Sequence, residues 1–83
     1  MNSIEITILR VMHSRRLYGA KHIRIEKIMN SGFPSHLRGD VKKAIESLIK
    51  QSYILYAKRS KEAVQLNKAL SKEIQELIIN KIV

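Results

Sequence analysis

The chain has 83 residues, of which 45% are hydrophobic, with one proline and three glycines; this composition is typical of one folded, largely helical domain with a small core. Sixteen Lys and Arg against seven Asp and Glu give a formal charge of +9, which favours a polyanion as partner over a basic domain that binds nothing anionic. The absence of cysteine excludes disulfides, thiol catalysis and cysteine-ligated zinc.

Membrane and export signals are not evident in the sequence. No apolar run approaches the roughly 20 residues needed to cross a bilayer, and the N-terminus has no charged region followed by an apolar block. We therefore expect a cytoplasmic protein, with which a reducing compartment is compatible.

Residues 2–14 predict a first helix with a wide apolar face. The apolar residues of this segment recur at helical spacing: Ile4, Ile8, Val11 and Met12. Asn2 or Ser3 can cap the start of the helix. Tyr18 followed by Gly19 is expected to stop it.

A short second helix is predicted over residues 24–30, where apolar residues again follow helical spacing before a stop at Ser31 and Gly32. A turn then leads to residues 34–50, which predict a third helix, so that the order is helix-turn-helix. Pro34 suits the first turn of this helix because its missing N–H is not needed there.

The third helix has two distinct faces. Its apolar residues fall on one stripe about 140° wide: Leu37, Val41, Ala44, Ile45, Leu48 and Ile49. The residues opposite are free to contact a ligand: His36, Gly39, Lys43, Glu46 and Lys50. Ser35 can cap the helix.

After Ser52 the apolar period changes to two, which predicts a β-hairpin. Ile54 and Tyr56 point one way on the first strand, and Val64 and Leu66 match them on the return strand. The turn between the strands carries Arg59, Ser60 and Lys61.

The second half of the chain resembles the recognition helix and wing of the winged-helix family of DNA-binding domains. The resemblance rests on the third helix, the hairpin YILYAKRSKEAVQL and the further helix after Asn67. The resemblance implies a mainly α chain with a small β-hairpin, in the α+β class. A winged helix-turn-helix would occupy residues 1–67, with an added C-terminal helix over 68–83 as a possible dimerisation element. A short strand at residues 20–23 would join the hairpin.

The resemblance also implies that the chain binds double-stranded DNA, as a transcription regulator or an accessory chromatin protein. The recognition helix, residues 34–50, would enter the major groove, and the wing, residues 57–62, would contact the backbone or the minor groove. The expected DNA-binding residues are Ser35, His36, Arg38, Gly39, Lys42, Lys43, Lys58, Arg59 and Lys61. The alternative is a winged-helix module for protein–protein or RNA interaction in a larger complex, which would expose an apolar patch rather than cations on the same helix and wing. The family often has glycine where the recognition helix turns into the wing, and this chain has Ser52, which can adopt the turn at modest cost.

Three of these assignments have a second interpretation. His36 contacts a base edge or a phosphate, or it is a solvated polar residue. Gly39 permits close approach to a sugar-phosphate backbone, or it packs tightly against the second helix. Lys58, Arg59 and Lys61 contact the nucleic acid, or they belong to a solvated turn.

Catalysis and metal binding find little support. The histidines at 13, 22 and 36 lie on different predicted elements with no acid at metal-ligand spacing, and no Gly-rich phosphate loop or paired-carboxylate motif is present. Ser35, His36 and Asp40 are neighbours on one helix, which does not assemble a catalytic triad. We therefore expect no enzyme activity, no metal and no cofactor.

Asn67 can cap a last helix whose apolar stripe needs a cover. The stripe consists of Leu70, Ile74, Leu77, Ile78 and Ile82. It can fold back on the first helix, or it can meet its own copy across a two-fold axis. Because the charge of this segment is nearly balanced, we expect a homodimer through the stripe, which would present two recognition helices to half-sites about 34 Å apart.

Overall fold

The structure is a computed structural model that describes residues 1–19, 21–58, 60 and 62–82, with only the backbone described for residues 80–82. Its helices are α1 (Ser3–Ser14), α2 (Ile25–Met29), α3 (Arg38–Lys50) and α4 (Ser71–Ile82), and its strands are β1 (Ile23–Arg24), β2 (Ile54–Lys58) and β3 (Ala63–Leu66). The strands form one antiparallel sheet in the order β1-β3-β2. The expected α+β class, mainly helical with a small sheet, is confirmed. None of the described helices is long and apolar enough to cross a membrane.

Asn2 caps α1 through a capping box. Its side chain accepts a hydrogen bond from the Glu5 N–H at 2.8 Å, and its own N–H donates to Glu5 Oε1 at 3.1 Å, so two backbone donors are satisfied. The helix ends before the stop expected at Gly19, because Arg16 adopts a left-handed φ of 54° and its N–H donates to the His13 carbonyl at 2.9 Å. An arginine thus occupies a position that glycine usually takes.

The third helix begins later than predicted. Pro34 is extended, with ψ 148°, and the 3-10 turn Ser35–Leu37 precedes α3, so the predicted helix over residues 34–50 is α-helical only from Arg38. The N–H of the last residue in this turn donates to the Pro34 carbonyl at 3.0 Å. Neither start has a side-chain cap, so the cap expected from Ser35 is wrong. The 3-10 hydrogen bond to the Pro34 carbonyl instead pairs one of the backbone N–H groups at this end of the helix.

Ser52 ends α3 in the left-handed conformation, with φ 69°. The N–H of Ser52 donates to the Ile49 carbonyl and that of Tyr53 to the Leu48 carbonyl, both at 3.0 Å. These two bonds form a Schellman motif. The expectation that serine can adopt this turn is confirmed.

The hairpin has the predicted register. Ile54 pairs with Leu66, and Tyr56 pairs with Val64. Because paired residues of an antiparallel ladder share a face, these four side chains lie on the same side of the sheet, and three of them are fully buried there.

The third strand is also present. Ile23 of β1 pairs with Val64 of β3, so a strand does join the hairpin. It spans only Ile23–Arg24, and Lys21 and His22 of the expected range 20–23 lie outside it. Ala20 lies outside the described residues.

α4 lies against α1 and completes the core. Ile74 is fully buried and Ile78 is 6% exposed, while Leu70 and Leu77 pack against the same cluster from its edge. The side chain of Ile82, the fifth residue of the expected dimer contact, lies outside the described part of the chain. The stripe therefore covers the chain's own core, as in the fold-back alternative. Self-association stays a prediction, but Ile74 and Ile78 are not available to a partner in this fold.

Candidate nucleic-acid interface

α3 turns one face to the core and the opposite face to solvent. Val41, Ala44, Ile45 and Leu48 are buried. The expected DNA-binding residues of α3 and of the turn before it are all exposed: Ser35, His36, Arg38, Gly39, Lys42 and Lys43. These six residues are accordingly accessible to a large ligand.

Hydrogen bonds show which flank of α3 faces α1. Ser47 Oγ and Gln51 Nε2 both donate to the carboxylate of Glu5 on α1. With 3.6 residues per turn, Lys43 lies about 40° from Ser47 around the helix axis, whereas Lys42 lies about 140° from it. The two neighbouring lysines are therefore on different flanks, with Lys43 beside α1.

The two flanks differ in charge. Lys43 and Asp40 line the same groove between α1 and α3, so a phosphate that approached Lys43 there would also meet a carboxylate. Arg38 and Lys42 lie one turn apart on the far flank, and the acid Glu46 follows only one turn later. The far flank is therefore the more positive of the two at the start of α3.

Gly39 lies on the exposed face of α3 with open space around it. A Cβ atom added at this position would meet no described atom within 4 Å. The interpretation of Gly39 as a tight contact with the second helix is therefore wrong. Close approach to a ligand is the interpretation that remains.

A β-bulge turns Lys58 to the outer face of the hairpin. Tyr56 pairs with Val64 and Lys58 pairs with Ala63, so that Ala57 is an extra residue between the two pairs. Simple alternation would place Lys58 on the same face as Tyr56. The extra residue places it on the face of Ala63 instead, where it is exposed.

The described cations of residues 1–67 all lie in solvent. They are Arg10, Arg15, Arg16, Lys21, Arg24, Lys27, Arg38, Lys42, Lys43, Lys50 and Lys58. The exposed acids of the same segment are Glu26, Asp40, Glu46 and Glu62. Eleven cations against four acids give these exposed side chains a net charge of +7. Glu5 is left out of this count because it is buried. Two expected wing cations, Arg59 and Lys61, lie outside the described residues.

Large apolar side chains are rarely exposed. Within the described ranges, the exposed ones are Met1, Leu55 and Ile79. Leu55 lies on β2 and none lies on α3, so the face of α3 presents polar and charged groups rather than an apolar patch.

Two cations near the wing were not among the expected DNA-binding residues. Arg24 and Lys27 are exposed, and Arg24 pairs with Ala63 at the end of β3 nearest the hairpin turn. Their charge was visible in the sequence. Their position beside the wing was not, because it depends on a pairing between residues 39 positions apart.

The histidines bear on whether the chain could hold a metal ion. Among the residues that the structure describes, no three His, Cys, Asp or Glu side chains gather as possible ligands. His13 Nδ1 lies 3.1 Å from the hydroxyl oxygen of Tyr18 in a hydrogen bond, with the two rings edge to face. Burial raises the pKa of Tyr18 above its usual value of 10.0, so its hydroxyl is protonated at neutral pH and available to donate.

Comparison of the chain with profiles of known protein families, with curated proteins and with solved structures gave no match. Function is therefore inferred from the fold and the charged surface described above.

Proposed function

We propose that this chain is a winged helix-turn-helix protein that binds double-stranded DNA and acts as a transcription regulator. The order of elements, α1-β1-α2-α3-β2-β3 followed by α4, supports the proposal because it is the order that the winged-helix resemblance implies. The three-stranded sheet supports it further, since β1 joins the hairpin at β3.

The observation that carries the proposal is the exposed, cationic start of α3. Arg38 and Lys42 lie on one flank, Lys43 lies on the other, and Gly39 leaves open space between them. The major groove of B-DNA admits an α-helix, and an arginine can bond in bidentate fashion to the O6 and N7 atoms of guanine. We therefore assign base contacts to the first turns of α3, with His36 as a further candidate for a base edge or phosphate.

The wing supplies a second, sequence-independent contact in this proposal. The bulge directs Lys58 away from the core face, and Arg59 and Lys61 follow in the sequence at the hairpin turn. Phosphate contacts of this kind set the register of a protein on the duplex without reading bases. Recognition by α3 and positioning by the wing together give the binding mode.

A salt titration tests the proposal. The chain is titrated against a random-sequence duplex and a single strand of equal length at several salt concentrations. If the six cations at 38, 42, 43, 58, 59 and 61 neutralise about four to six phosphates, the log–log slope for the duplex is about −4 to −5. A flat salt response on the duplex, or tighter binding to the single strand, would overturn it.

Two charge-removing variants make the test specific. Lys42→Gln should reduce the steepness of the slope by about 1, as expected for one lost phosphate contact. Lys72→Gln removes the same charge from an exposed position on α4 and should leave the slope unchanged. Equal effects of the two variants would mean that net charge alone, rather than the surface of α3, governs binding.

A further inference from the structure

Arg24 and Lys58 lie in one row across the sheet. Both pair with Ala63 of the central strand, Arg24 from β1 and Lys58 from β2. Paired residues share a face of the sheet, so the two cations flank Ala63 on the face away from the core. With strands spaced at about 4.8 Å, their Cα atoms are about 10 Å apart. Ala63 is 2% exposed, while both cations are exposed.

The same row continues onto α2. Arg24 lines an open groove of about 350 Å³ together with Glu26, Lys27 and Asn30. The Ile25 N–H donates to the Glu62 carbonyl at 2.9 Å, which ties the start of α2 to the hairpin turn. The groove therefore begins beside the wing.

We propose that Arg24, Lys58, Lys27 and Asn30 form a second phosphate-contacting surface that binds the backbone of duplex DNA. This inference rests on the proposed function and extends its footprint from α3 and the wing tip to β1 and α2. The arginine guanidinium can hold a phosphate by two parallel hydrogen bonds, and the lysines act as point charges. The side-chain amide of Asn30 supplies a neutral donor.

The extent of the surface favours a polymeric anion over a single small one. The two cations of the sheet are separated by a whole strand, and Lys27 lies on a different element. No single phosphate group spans such a row, whereas successive phosphates of a nucleic acid backbone do. Among the described residues that line the groove, Glu26 is the one acid and Arg24 and Lys27 are cations; Lys58 of the adjoining sheet adds a third positive charge.

A pair of double variants tests the inference. Arg24→Gln with Lys27→Gln, the row variant, removes the two charges of this surface that the proposed function does not already use, and Arg10→Gln with Lys72→Gln removes two charges from exposed positions on α1 and α4. We expect the first pair to reduce the steepness of the duplex salt slope by about 2, and the control pair to leave it unchanged. The loss should be the same on duplexes of different sequence, because phosphates carry no base information.

The single variant Glu26→Gln adds a result of the opposite sign. Removal of this carboxylate should tighten duplex binding, because it no longer repels the backbone. Thermal unfolding of each variant shows whether the fold is retained. If Arg24→Gln unfolds the chain, Lys27→Gln alone takes its place in the same titration, with an expected reduction in slope of about 1.

The outcomes separate this inference from the proposed function. If the unsubstituted chain binds duplex DNA and the row variant behaves like the control pair, the second surface is wrong and the proposed function stands. If the unsubstituted chain binds no duplex, or prefers single-stranded RNA, both fail. A smaller slope for the row variant alone, with tighter binding for Glu26→Gln, supports the surface.

Discussion

Ser47 Oγ donates a hydrogen bond of 3.1 Å to Oε2 of Glu5, across 42 residues of sequence. Gln51 Nε2 donates to the same oxygen at 3.3 Å, and the Asn2 N–H donates to Oε1 at 3.1 Å. Glu5 is 6% exposed, and the donors around it are neutral. One buried carboxyl group therefore caps α1 and also holds the second half of α3 against it.

Replacement of this carboxyl group should destabilise the chain. In Glu5→Ala, the donors on Asn2, Ser47 and Gln51 lose their acceptor, so we expect the free energy of unfolding to fall by about 1–3 kcal/mol. Urea denaturation measures the change. Glu76→Ala removes an exposed carboxylate from α4 and should change stability by less than about 0.5 kcal/mol. Equal effects would show that the hydrogen bonds of Glu5 contribute nothing.

Replacement of Ser52 by glycine should make the fold more stable. The left-handed φ of 69° costs an L-residue about 1–2 kcal/mol, and the greater freedom of glycine in the unfolded chain returns about 0.5–1 kcal/mol of that. Ser52→Gly should therefore raise the free energy of unfolding by about 0.5–1 kcal/mol. Ser14→Gly makes the same change at the last residue of α1, where the backbone is helical, and should lower it. A Ser52→Gly variant no more stable than the unsubstituted chain would contradict this account.

Patterns that act over a few residues were predictable. The period-two alternation around Ile54 and Tyr56 gave the register with Leu66 and Val64, because a slip of one residue would move every apolar side chain to the wrong face. A cap by Asn2 or Ser3 was likewise predictable from local residues, and Asn2 is the one that supplies it. Each of these features depends on residues within one helix or one hairpin.

Features that depend on distant or irregular geometry were not predictable. Strict alternation would put Lys58 on the core face, and nothing in the sequence marks Ala57 as the extra residue of the bulge that turns it outward. The partners of Glu5 on α3 come from the packing of two helices. The stripe on α4 was visible, but its cover was not, because an apolar stripe is equally suited to α1 and to a second copy.

Substitutions at Gly39 should stabilise the fold but weaken DNA binding when the new side chain is long. Because no described atom lies within 4 Å of an added Cβ, Gly39→Ala should stabilise α3 by about 0.5–1 kcal/mol. If the glycine permits close approach to DNA, the longer side chain of Gly39→Leu should also weaken duplex binding. Ala69→Leu enlarges an exposed residue outside α3 and should leave binding unchanged. Unaltered duplex affinity in Gly39→Leu would remove the close-approach interpretation.

The recognition helix and the wing should differ in how they affect sequence preference. Arg59→Ala combined with Lys61→Ala should weaken binding to all duplexes alike, because phosphate contacts position the protein. His36→Ala or Arg38→Ala should change the ranking of duplexes, because base edges carry the sequence information. Competition among a set of duplexes of different sequence measures both effects. The reverse pattern, with preference altered only by the wing pair, would exchange the two roles.

Two isoleucines of α4 differ in burial. Ile74 is fully buried and Ile79 is 59% exposed. Ile74→Ala leaves a cavity in the core and should cost about 2–5 kcal/mol, whereas Ile79→Ala should change stability by less than about 0.5 kcal/mol. Similar losses in both would mean that the two positions are not divided between core and surface as described.

Because Ile74 is buried and Ile79 is exposed, the predicted homodimer must be tested by a substitution at Ile79. A charge at Ile74 would unfold the chain, so only a variant at an exposed position can dissociate two folded copies. Sedimentation of the predicted homodimer gives twice the chain mass of 9.6 kDa. Ile79→Glu should return it to a folded monomer, because it places a charge at an apolar side chain of α4 that is 59% exposed. A single 9.6 kDa species for the unsubstituted chain would rule out the homodimer. A dimer that persists in Ile79→Glu would place the contact away from this face of α4.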